Sequence, residues 1–161
     1  AMNQDSVHSN QKVHAFLRHN PMGILSTVNA GGQPWGSAVF YVSDEDFKFY
    51  FVTRAGTLKY KNIENSPLAS LTIANNETQT TVQVAGTISK VPLKEYGEII
   101  FGKLMDARPK NDEHWIPPLA KIHEGDYVPL CLTPSKLQYA DFQHRKADGI
   151  RADYIEKIIG G

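Results

Sequence analysis

The sequence predicts a mainly β protein, an antiparallel β-barrel of about seven strands with peripheral helices. Three observations predict this fold. Runs of β-forming residues are joined mostly by short turns, helical spacing of apolar residues is confined to a few segments, and Gly86 interrupts a long strand. A glycine inside a strand allows the bulge or bend by which a sheet curls and closes.

The whole chain, residues 1–161, is expected to form one domain, because this length suits a single hydrophobic core. Ala1 is interpreted as the remnant of a cleaved tag, and the polar residues 1–10 are expected to be flexible. Basic and acidic residues are equal at 17 each, so nucleic acid is not an expected partner. No stretch approaches the ~20 apolar residues of a membrane span. With Cys131 as its only cysteine, the protein is expected to be cytoplasmic, without a membrane partner.

The first half of the chain is predicted to begin with a short amphipathic helix and to continue as an antiparallel meander of three strands. Apolar residues recur at helical spacing within residues 10–19, and Asn20-Pro21 ends this pattern. The predicted strands cover residues 22–28, 35–42 and 47–52, and they are separated by a glycine-rich turn and an acidic turn.

The rest of the chain is predicted to alternate between helices and further strands. Helices are expected at residues 58–63, after Pro92, and at the C-terminus, where Tyr154, Ile155, Ile158 and Ile159 suggest an amphipathic segment. Strands are expected at residues 68–74, 81–91, 127–132 and 136–142, with Thr133-Pro134 dividing the last two. Cys131 lies in one of these apolar runs, where cysteine behaves as a small hydrophobe.

The turn at residues 53–59 places hydroxyls, backbone amides and an ammonium where a strand meets a helix. Thr57 is the predicted N-cap, and an anion there would meet free helix N–H groups and the positive end of the helix dipole. Thr53, Thr57 and Lys59 are therefore candidate phosphate ligands. The same residues also fit a capped turn with surface lysines, so the prediction depends on the segments around the turn.

Four segments between Met22 and Val91 form a recognisable series. They read GILST with GQP (23–27 and 32–34), SAVFY (37–41), YFVT with TLK and NI…NSP (50–53, 57–59 and 62–67), and VQVAGT (82–87). In this order and spacing the chain resembles the FMN-binding split β-barrels of the pyridoxamine 5′-phosphate oxidase-like superfamily. Within that superfamily it looks most similar to the general-stress-protein-like branch.

The resemblance implies a homodimer that binds FMN at the subunit interface. The second strand would line the flavin largely through its backbone, the aromatic strand would meet the ring or the ribityl chain, and the following turn would hold the phosphate. The implied cofactor-binding residues are, in that order, Ser37, Ala38 and Val39; Val52 and Thr53; and Thr57, Leu58 and Lys59, with Thr81 on the long strand.

Residues of the divergent second half are candidates for the substrate side of the pocket and for the partner surface. Trp115 lies in a proline-flanked polar loop, where a tryptophan is expected to cover a ligand or meet the partner chain. Tyr96, Phe101 and Ile116 are further candidates for the partner surface, and burial in the chain's own core is the alternative for the helix residues.

The chain departs from the oxidase pattern at three places. Leu58 stands where the oxidase has the first member of an Arg-Lys pair, and Thr81 stands where it has a glutamine. Residues 136–161 contain no counterpart of the oxidase's C-terminal Arg- and Trp-containing segment, which holds the pyridoxal phosphate product. Vitamin B6 oxidation is therefore not the expected activity.

Other kinds of site find little support in the sequence. The six histidines form no H-x-x-x-H or H-x-x-E-H pair, so no metal site is predicted. Signatures of serine hydrolases, Walker loops and Rossmann folds are absent. No catalytic side chain is identified, which suits a protein whose cofactor provides the chemistry.

The leading hypothesis is an FMN-dependent oxidoreductase or flavin reductase that uses NADH or NADPH and an unknown small-molecule substrate. A deazaflavin or haem in the same barrel is one alternative. A non-catalytic flavin-binding or stress-related protein is another, and a barrel for some other apolar ligand is a third. The absorbance of the purified protein would separate the ligands, and turnover with a nicotinamide would separate an enzyme from a binding protein.

Overall fold

The computed structural model describes residues 4–107, 126–143 and 154–160, and the predicted mainly β, antiparallel fold is confirmed. Within these residues eight strands form one sheet that three helices accompany. The helices are α1 Gln4–His19, α2 Leu58–Asn65 and α3 Leu93–Ala107. The strands are β1 Met22–Val28, β2 Pro34–Phe40, β3 Val42–Ser43, β4 Phe49–Arg54, β5 Leu68–Asn75, β6 Thr80–Lys90, β7 Tyr127–Asp141 and β8 Tyr154–Ile159.

The order of the strands shows that the sheet curls. It runs β2-β1-β5-β6-β7-β4-β3, with β8 added to β7. β2 and β3 stand at opposite ends of this path, yet only Tyr41 separates them in the chain, so the two ends must come together as a barrel. The Tyr41 hydroxyl donates to the Asn20 carbonyl oxygen at 2.5 Å, and the Tyr41 ring meets Phe49 edge to face with 5.4 Å between centroids.

The irregularity predicted at Gly86 is confirmed. β6 shifts its register against β7 between Ala85 and Gly86. A Cβ atom at position 86 would lie 2.2 Å from the carbonyl oxygen of Thr133, so glycine is required for the two backbones to approach so closely. Pro134 pairs with Gly86 at this point, where the irregular ladder tolerates its missing N–H.

Alternate residues of the strands fill the barrel. In β6 the side chains of Val82, Val84 and Ile88 are buried, while Gln83, Ala85 and Thr87, which alternate with the buried positions, are exposed. α1 packs on the same core through Val13 and Leu17. The interior is therefore a continuous apolar cluster shared by the strands and α1.

Several local predictions are confirmed. β1 has the predicted ends, and Cys131 is buried in β7. α3 begins directly after Pro92, whose carbonyl oxygen accepts from the Tyr96 amide at 2.9 Å. α1 begins at Gln4, earlier than the predicted start at residue 10.

Three predictions are wrong, each because a contact distant in sequence overrides the local pattern. The aromatic strand β4 pairs with β3 and β7 rather than with β2, so the three-strand meander does not form. Thr133-Pro134 does not divide β7, which is one strand of 15 residues. The C-terminal segment is strand β8, paired with β7, rather than an amphipathic helix, and its isoleucines suit a strand.

Candidate functional site

The turn between β4 and α2 has the predicted capped geometry. Thr57 is the N-cap with extended backbone angles, φ −82° and ψ 153°, and its Oγ1 accepts from the Tyr60 amide at 3.3 Å. The helix that follows begins at Leu58, as predicted, and ends at Asn65. The polar residue types of the turn therefore produce the local structure that they predict.

The hydroxyls of Thr53 and Thr57 lie together, with 3.1 Å between their oxygens. Thr57 Oγ1 donates its hydrogen to the Arg54 carbonyl oxygen at 2.8 Å, so the Thr53 hydroxyl must be the donor in the threonine pair. Thr57 thus uses its only hydrogen within the turn. Its role in this arrangement is to shape the turn, and direct donation to a ligand would require the hydroxyl to rotate.

Free donors at the turn are provided by the backbone. Among the described residues, the amides of Gly56, Leu58 and Lys59 have no hydrogen-bond acceptor. A Cβ atom added at Gly56 would meet nothing within 4 Å of the described residues, so the turn is open beside Gly56. Three unsatisfied N–H groups at the start of a helix form a ready site for an anion.

Lys59 adds a positive charge to the same turn. Its side chain is half-buried, and burial lowers the pKa of its ammonium. In the described part of the chain no carboxylate forms an ion pair with Lys59. Partial burial destabilises the charged ammonium, and an anionic ligand would compensate for this by binding next to it.

Two further cations flank α2. The Arg54 guanidinium lies 5.8 Å from the centre of the Tyr127 ring, and the Lys90 ammonium lies 5.7 Å from the Tyr60 ring. A hydrogen bond from Lys90 to Tyr60 is the main cause that raises the pKa of Lys90. Positive charge is therefore present at the turn itself and beside Tyr60 of α2, although the chain as a whole has no net charge.

A second buried polar contact holds α2 further along. Asn62 Nδ2 donates to Thr27 Oγ1 of β1 at 3.2 Å, and both residues are buried. Both residues lie within the resembling segments 23–27 and 62–67, but neither has a role predicted from the sequence. The signal available was an asparagine on the buried side of a short helix, where a polar side chain needs a partner.

Most of the other predicted cofactor residues lie on strands β2 and β6, and Leu58 lies on α2. Ser37 is half-buried, Ala38 is exposed and Val39 is buried on β2, while Thr81 is half-buried on β6. Leu58, at the first position of α2, is exposed. The structure thus joins Thr53 and Thr57 by a contact and leaves the remaining residues as candidates on the strands of the barrel and on α2.

Val52 and Thr53 occupy opposite faces of β4. Thr53 is buried and bonded to Thr57, whereas Val52 packs on the cluster that contains Tyr50 and Tyr96 outside the barrel. Their side chains therefore cannot both face one ligand, and only the backbone of Val52 is available on the Thr53 side.

Of the residues predicted to lie at the substrate side or the partner surface, the structure describes the side chain of Tyr96 only. Tyr96 is buried against Tyr50, Ile100 and Cys131, so it belongs to the chain's own core rather than to a partner surface. This burial raises the pKa of Tyr96 to about 12. Trp115 and Ile116 lie outside the described residues, as does the side chain of Phe101.

The histidines that the structure describes all lie on one helix. His8, His14 and His19 all lie on α1, where the His14 ring stacks on Phe47 with 4.0 Å between centroids. Within residues 4–107, 126–143 and 154–160, no group of three histidine, cysteine or acidic residues could hold a metal ion. Over that same part of the chain, no helix is both long and apolar enough to cross a membrane.

Comparison with known proteins gives a family match over most of the chain. A family model described as pyridoxamine 5′-phosphate oxidase matches residues 9–139. A curated relative is the pyridoxine/pyridoxamine 5′-phosphate oxidase of Blochmanniella pennsylvanica (strain BPEN), which is 27% identical over 100 residues. The alignment covers 61% of this chain and 44% of that protein, so the chain spans less than half of the curated relative.

Solved structures share the fold at low sequence identity. A pyridoxamine 5′-phosphate oxidase-related, FMN binding protein from Nostoc punctiforme PCC 73102 is 14% identical, with a TM-score of 0.60 over 98% of this chain and 96% of that one. General Stress Protein 26 from Bacillus anthracis str. Sterne is 18% identical, with a TM-score of 0.63 over 82% and 93%. A heme binding protein from Mycobacterium smegmatis is 16% identical, with a TM-score of 0.65 over 98% and 60%.

Proposed function

Because the chain belongs to the pyridoxamine 5′-phosphate oxidase family, we propose that it binds FMN and holds the FMN phosphate at the start of α2. The observation that carries this proposal is the half-buried Lys59 ammonium, which has no described counter-ion and lies on the turn with the free amides of Gly56 and Leu58. A dianionic phosphate matches a cation surrounded by N–H donors. The fold has an FMN-binding relative, which supports the choice of ligand.

The chain's own residues divide the work of binding. Lys59 and the turn amides neutralise and orient the phosphate, while Thr53 and Thr57 hold the turn in shape. Along the rest of the cofactor, Ser37, Ala38, Val39, Val52 and Thr81 remain the proposed contacts of the ring and ribityl chain, while Leu58 belongs to the turn proposed for the phosphate. A bound flavin would supply hydride and electron transfer, which no side chain of the protein provides. We therefore propose an oxidoreductase or flavin reductase that uses NADH or NADPH.

A homodimer is proposed from the outer surface of β1, β2 and β5. Met22 pairs with Phe40 across β1 and β2, and both side chains are exposed on the face turned away from the core. Phe40 is 69% exposed, and Leu68 of β5 is exposed on the same face. Apolar side chains gathered on one face of a sheet favour association with another surface. A second copy of the chain is the partner that would also complete a pocket at the interface.

The direct test of the phosphate site compares two lysines of the same helix. Lys59→Ala is expected to weaken FMN binding about 30-fold, because a hydrogen bond to a charged group contributes about 2 kcal/mol. The matched control is Lys61→Ala, since Lys61 is exposed two residues further along α2. The measurement is quenching of flavin fluorescence on titration with each protein.

The outcomes of this titration discriminate between the ligands. FMN retained by the wild type and the Lys61 variant but released by the Lys59 variant would support the proposal. Equal binding by all three proteins would remove Lys59 from the site. A wild-type protein that retains no flavin, and instead shows haem or deazaflavin absorbance after incubation with those molecules, would replace FMN by one of the alternatives.

The dimer is tested at the exposed aromatic residue of β2. Phe40→Glu is expected to convert a dimer into a monomer at micromolar concentration, because it puts a charge into the proposed apolar contact. Sedimentation velocity measures the change, and Glu77→Ala on the exposed β5–β6 turn is the control. A wild-type protein that sediments as a monomer would contradict the proposed assembly.

A further inference from the structure

Buried polar side chains in this barrel are concentrated at α2. The described residues include four buried polar side chains, Thr27, Thr53, Asn62 and Thr80, and three of them lie in contacts of α2. Thr53 meets the N-cap Thr57 at 3.1 Å, and Thr27 meets Asn62 at 3.2 Å. A buried polar group without a hydrogen bond raises the free energy of the folded state. The loss of either contact would therefore destabilise the attachment of α2.

The two contacts connect α2 to strands that are not neighbours. In the sheet order β2-β1-β5-β6-β7-β4-β3, three strands separate β1, which carries Thr27, from β4, which carries Thr53. α2 has eight residues and is therefore about 12 Å long. A short helix bonded to two separate strands spans the end of the barrel, and its orientation depends on both bonds.

The contact at Asn62 controls rotation of α2 about its axis. The apolar contacts of the helix, through Tyr60 and Ile63, are non-directional and permit small rotations. The hydrogen bond from Asn62 to Thr27 is directional and buried, so it selects one rotation. Lys59 precedes Asn62 by three residues and therefore lies on the same face of the helix.

We propose that the hydrogen bond between Asn62 and Thr27 aims Lys59 at the phosphate, and that this pair thereby sets the preference of the site for a phosphorylated flavin. Asn62 and Thr27 are positioning residues that act through Lys59 and do not themselves touch the phosphate. The inference rests on the proposed function, because it concerns the same anion site. It predicts that breaking the pair reduces the contribution of the phosphate to binding while the rest of the flavin is bound as before.

The ratio of riboflavin to FMN dissociation constants isolates the phosphate contribution, since the two molecules differ only in that group. Thr27→Val keeps the side-chain shape and removes the acceptor for Asn62, and it is expected to lower this ratio about tenfold with little change in the riboflavin constant. Thr27→Ser keeps the hydroxyl and should restore the wild-type ratio. Thr80→Val is the matched control, because Thr80 is equally buried but bonds to Thr78 instead of α2.

A second readout needs no flavin. The acylation rate of Lys59 relative to Lys61, followed by mass spectrometry on the ligand-free protein, is expected to rise several-fold in Thr27→Val and to stay unchanged in Thr80→Val. A rise of this kind supports the positioning role even where FMN is not the ligand. Unchanged lysine reactivity together with an unchanged ratio would overturn it and leave the pair with a purely structural role.

The failures of the two proposals are distinguishable. If the wild type binds riboflavin and FMN equally, the phosphate site itself is disproved, and the lysine reactivity alone decides whether the pair orients α2. If the wild type prefers FMN and this preference survives both Thr27→Val and Asn62→Leu, only the positioning role is disproved.

Discussion

The helices α2 and α3 both cover the barrel, but they are attached by different kinds of contact. α2 places Tyr60 and Ile63 in the core. Two hydrogen bonds also join it to threonines of two strands: its N-cap Thr57 accepts from Thr53 of β4, and Asn62 donates to Thr27 of β1. Its first turn leaves backbone amides without acceptors in the described part of the chain. This helix therefore combines a directional attachment with unsatisfied donors.

α3 is attached by apolar contacts. Tyr96 and Ile100 pack on Tyr50 and Cys131, and Val52 and Ile99 lie around this cluster. The side chains of residues 93–100 make no hydrogen bond to another residue that the structure describes. In the first turn of α3, the Tyr96 amide donates to the carbonyl oxygen of Pro92, which lies just before the helix.

The difference shows how a barrel of this kind can separate stability from ligand binding. Apolar packing contributes free energy in proportion to buried area but does not select a narrow orientation. Hydrogen bonds contribute less net free energy and restrict geometry more. We therefore expect substitutions at α3 to change mainly the free energy of unfolding, and substitutions at α2 to change mainly ligand affinity.

The largest expected effect is on the α3 side. Tyr96→Ala should lower the free energy of unfolding by about 3 kcal/mol, because it removes a buried aromatic ring and leaves a cavity. Urea denaturation measures the loss, and FMN affinity, measured where the variant is still folded, should stay at the wild-type value. A parallel loss of affinity would show that the two helices are not independent.

An intermediate effect is expected at the N-cap of α2. Thr57→Ala should lower the free energy of unfolding by about 1 kcal/mol, the usual effect of losing a capping hydroxyl. FMN affinity should fall about fivefold as well, because the first turn that presents the amides frays. Thr57→Ser retains the hydroxyl and is the control for both measurements. A variant that loses stability without losing affinity would contradict the assignment of the anion to this turn.

The smallest expected effects concern how the free energy of unfolding changes with pH in the alkaline range. Tyr96 of α3 and Lys59 of α2 should change it in opposite directions. Burial raises the pKa of Tyr96 to about 12 from its ordinary 10.0, so between these values the unfolded chain loses a proton that the folded chain keeps, and stability falls as pH rises. Burial lowers the pKa of Lys59 below its ordinary 10.5, so the unfolded chain binds the extra proton and stability rises with pH up to that value.

Two variants separate these slopes. Relative to the wild type, Tyr96→Phe should lose less stability between pH 10 and pH 12. Lys59→Met should lose the rise below pH 10.5 and change stability at neutral pH by only a few tenths of a kcal/mol. Denaturation midpoints over this pH range provide the measurement. Slopes of the same sign at both positions would disprove the contrast between the helices.

Sequence reasoning predicted the parts of this protein that depend on neighbouring residues. The ends of β1, the N-cap at Thr57, the opening of α3 after Pro92 and the irregularity at Gly86 all follow from side-chain shape, hydroxyl capping or the lack of a Cβ atom. These preferences act within a few residues. A single sequence is therefore enough to read them.

Parts that depend on distant residues were not predicted. The C-terminal isoleucines fit either a helix or a strand, and pairing with β7 selects the strand. Thr133-Pro134 has the composition of a turn, but the bulge at Gly86 lets β7 pass through it without a break. Thr27 and Asn62 gave no sign of their contact, because they are 35 residues apart in the chain.

The sequence by itself determined a mainly antiparallel β protein with a capped, basic turn suited to an anion, because propensity, capping and charge are properties of short segments. Only the tertiary structure decided that Val52 and Thr53 face opposite sides of β4, that Tyr96 belongs to the chain's own core, and that α2 is bonded to both β1 and β4. These outcomes depend on how the sheet curls, which joins residues that the chain keeps far apart.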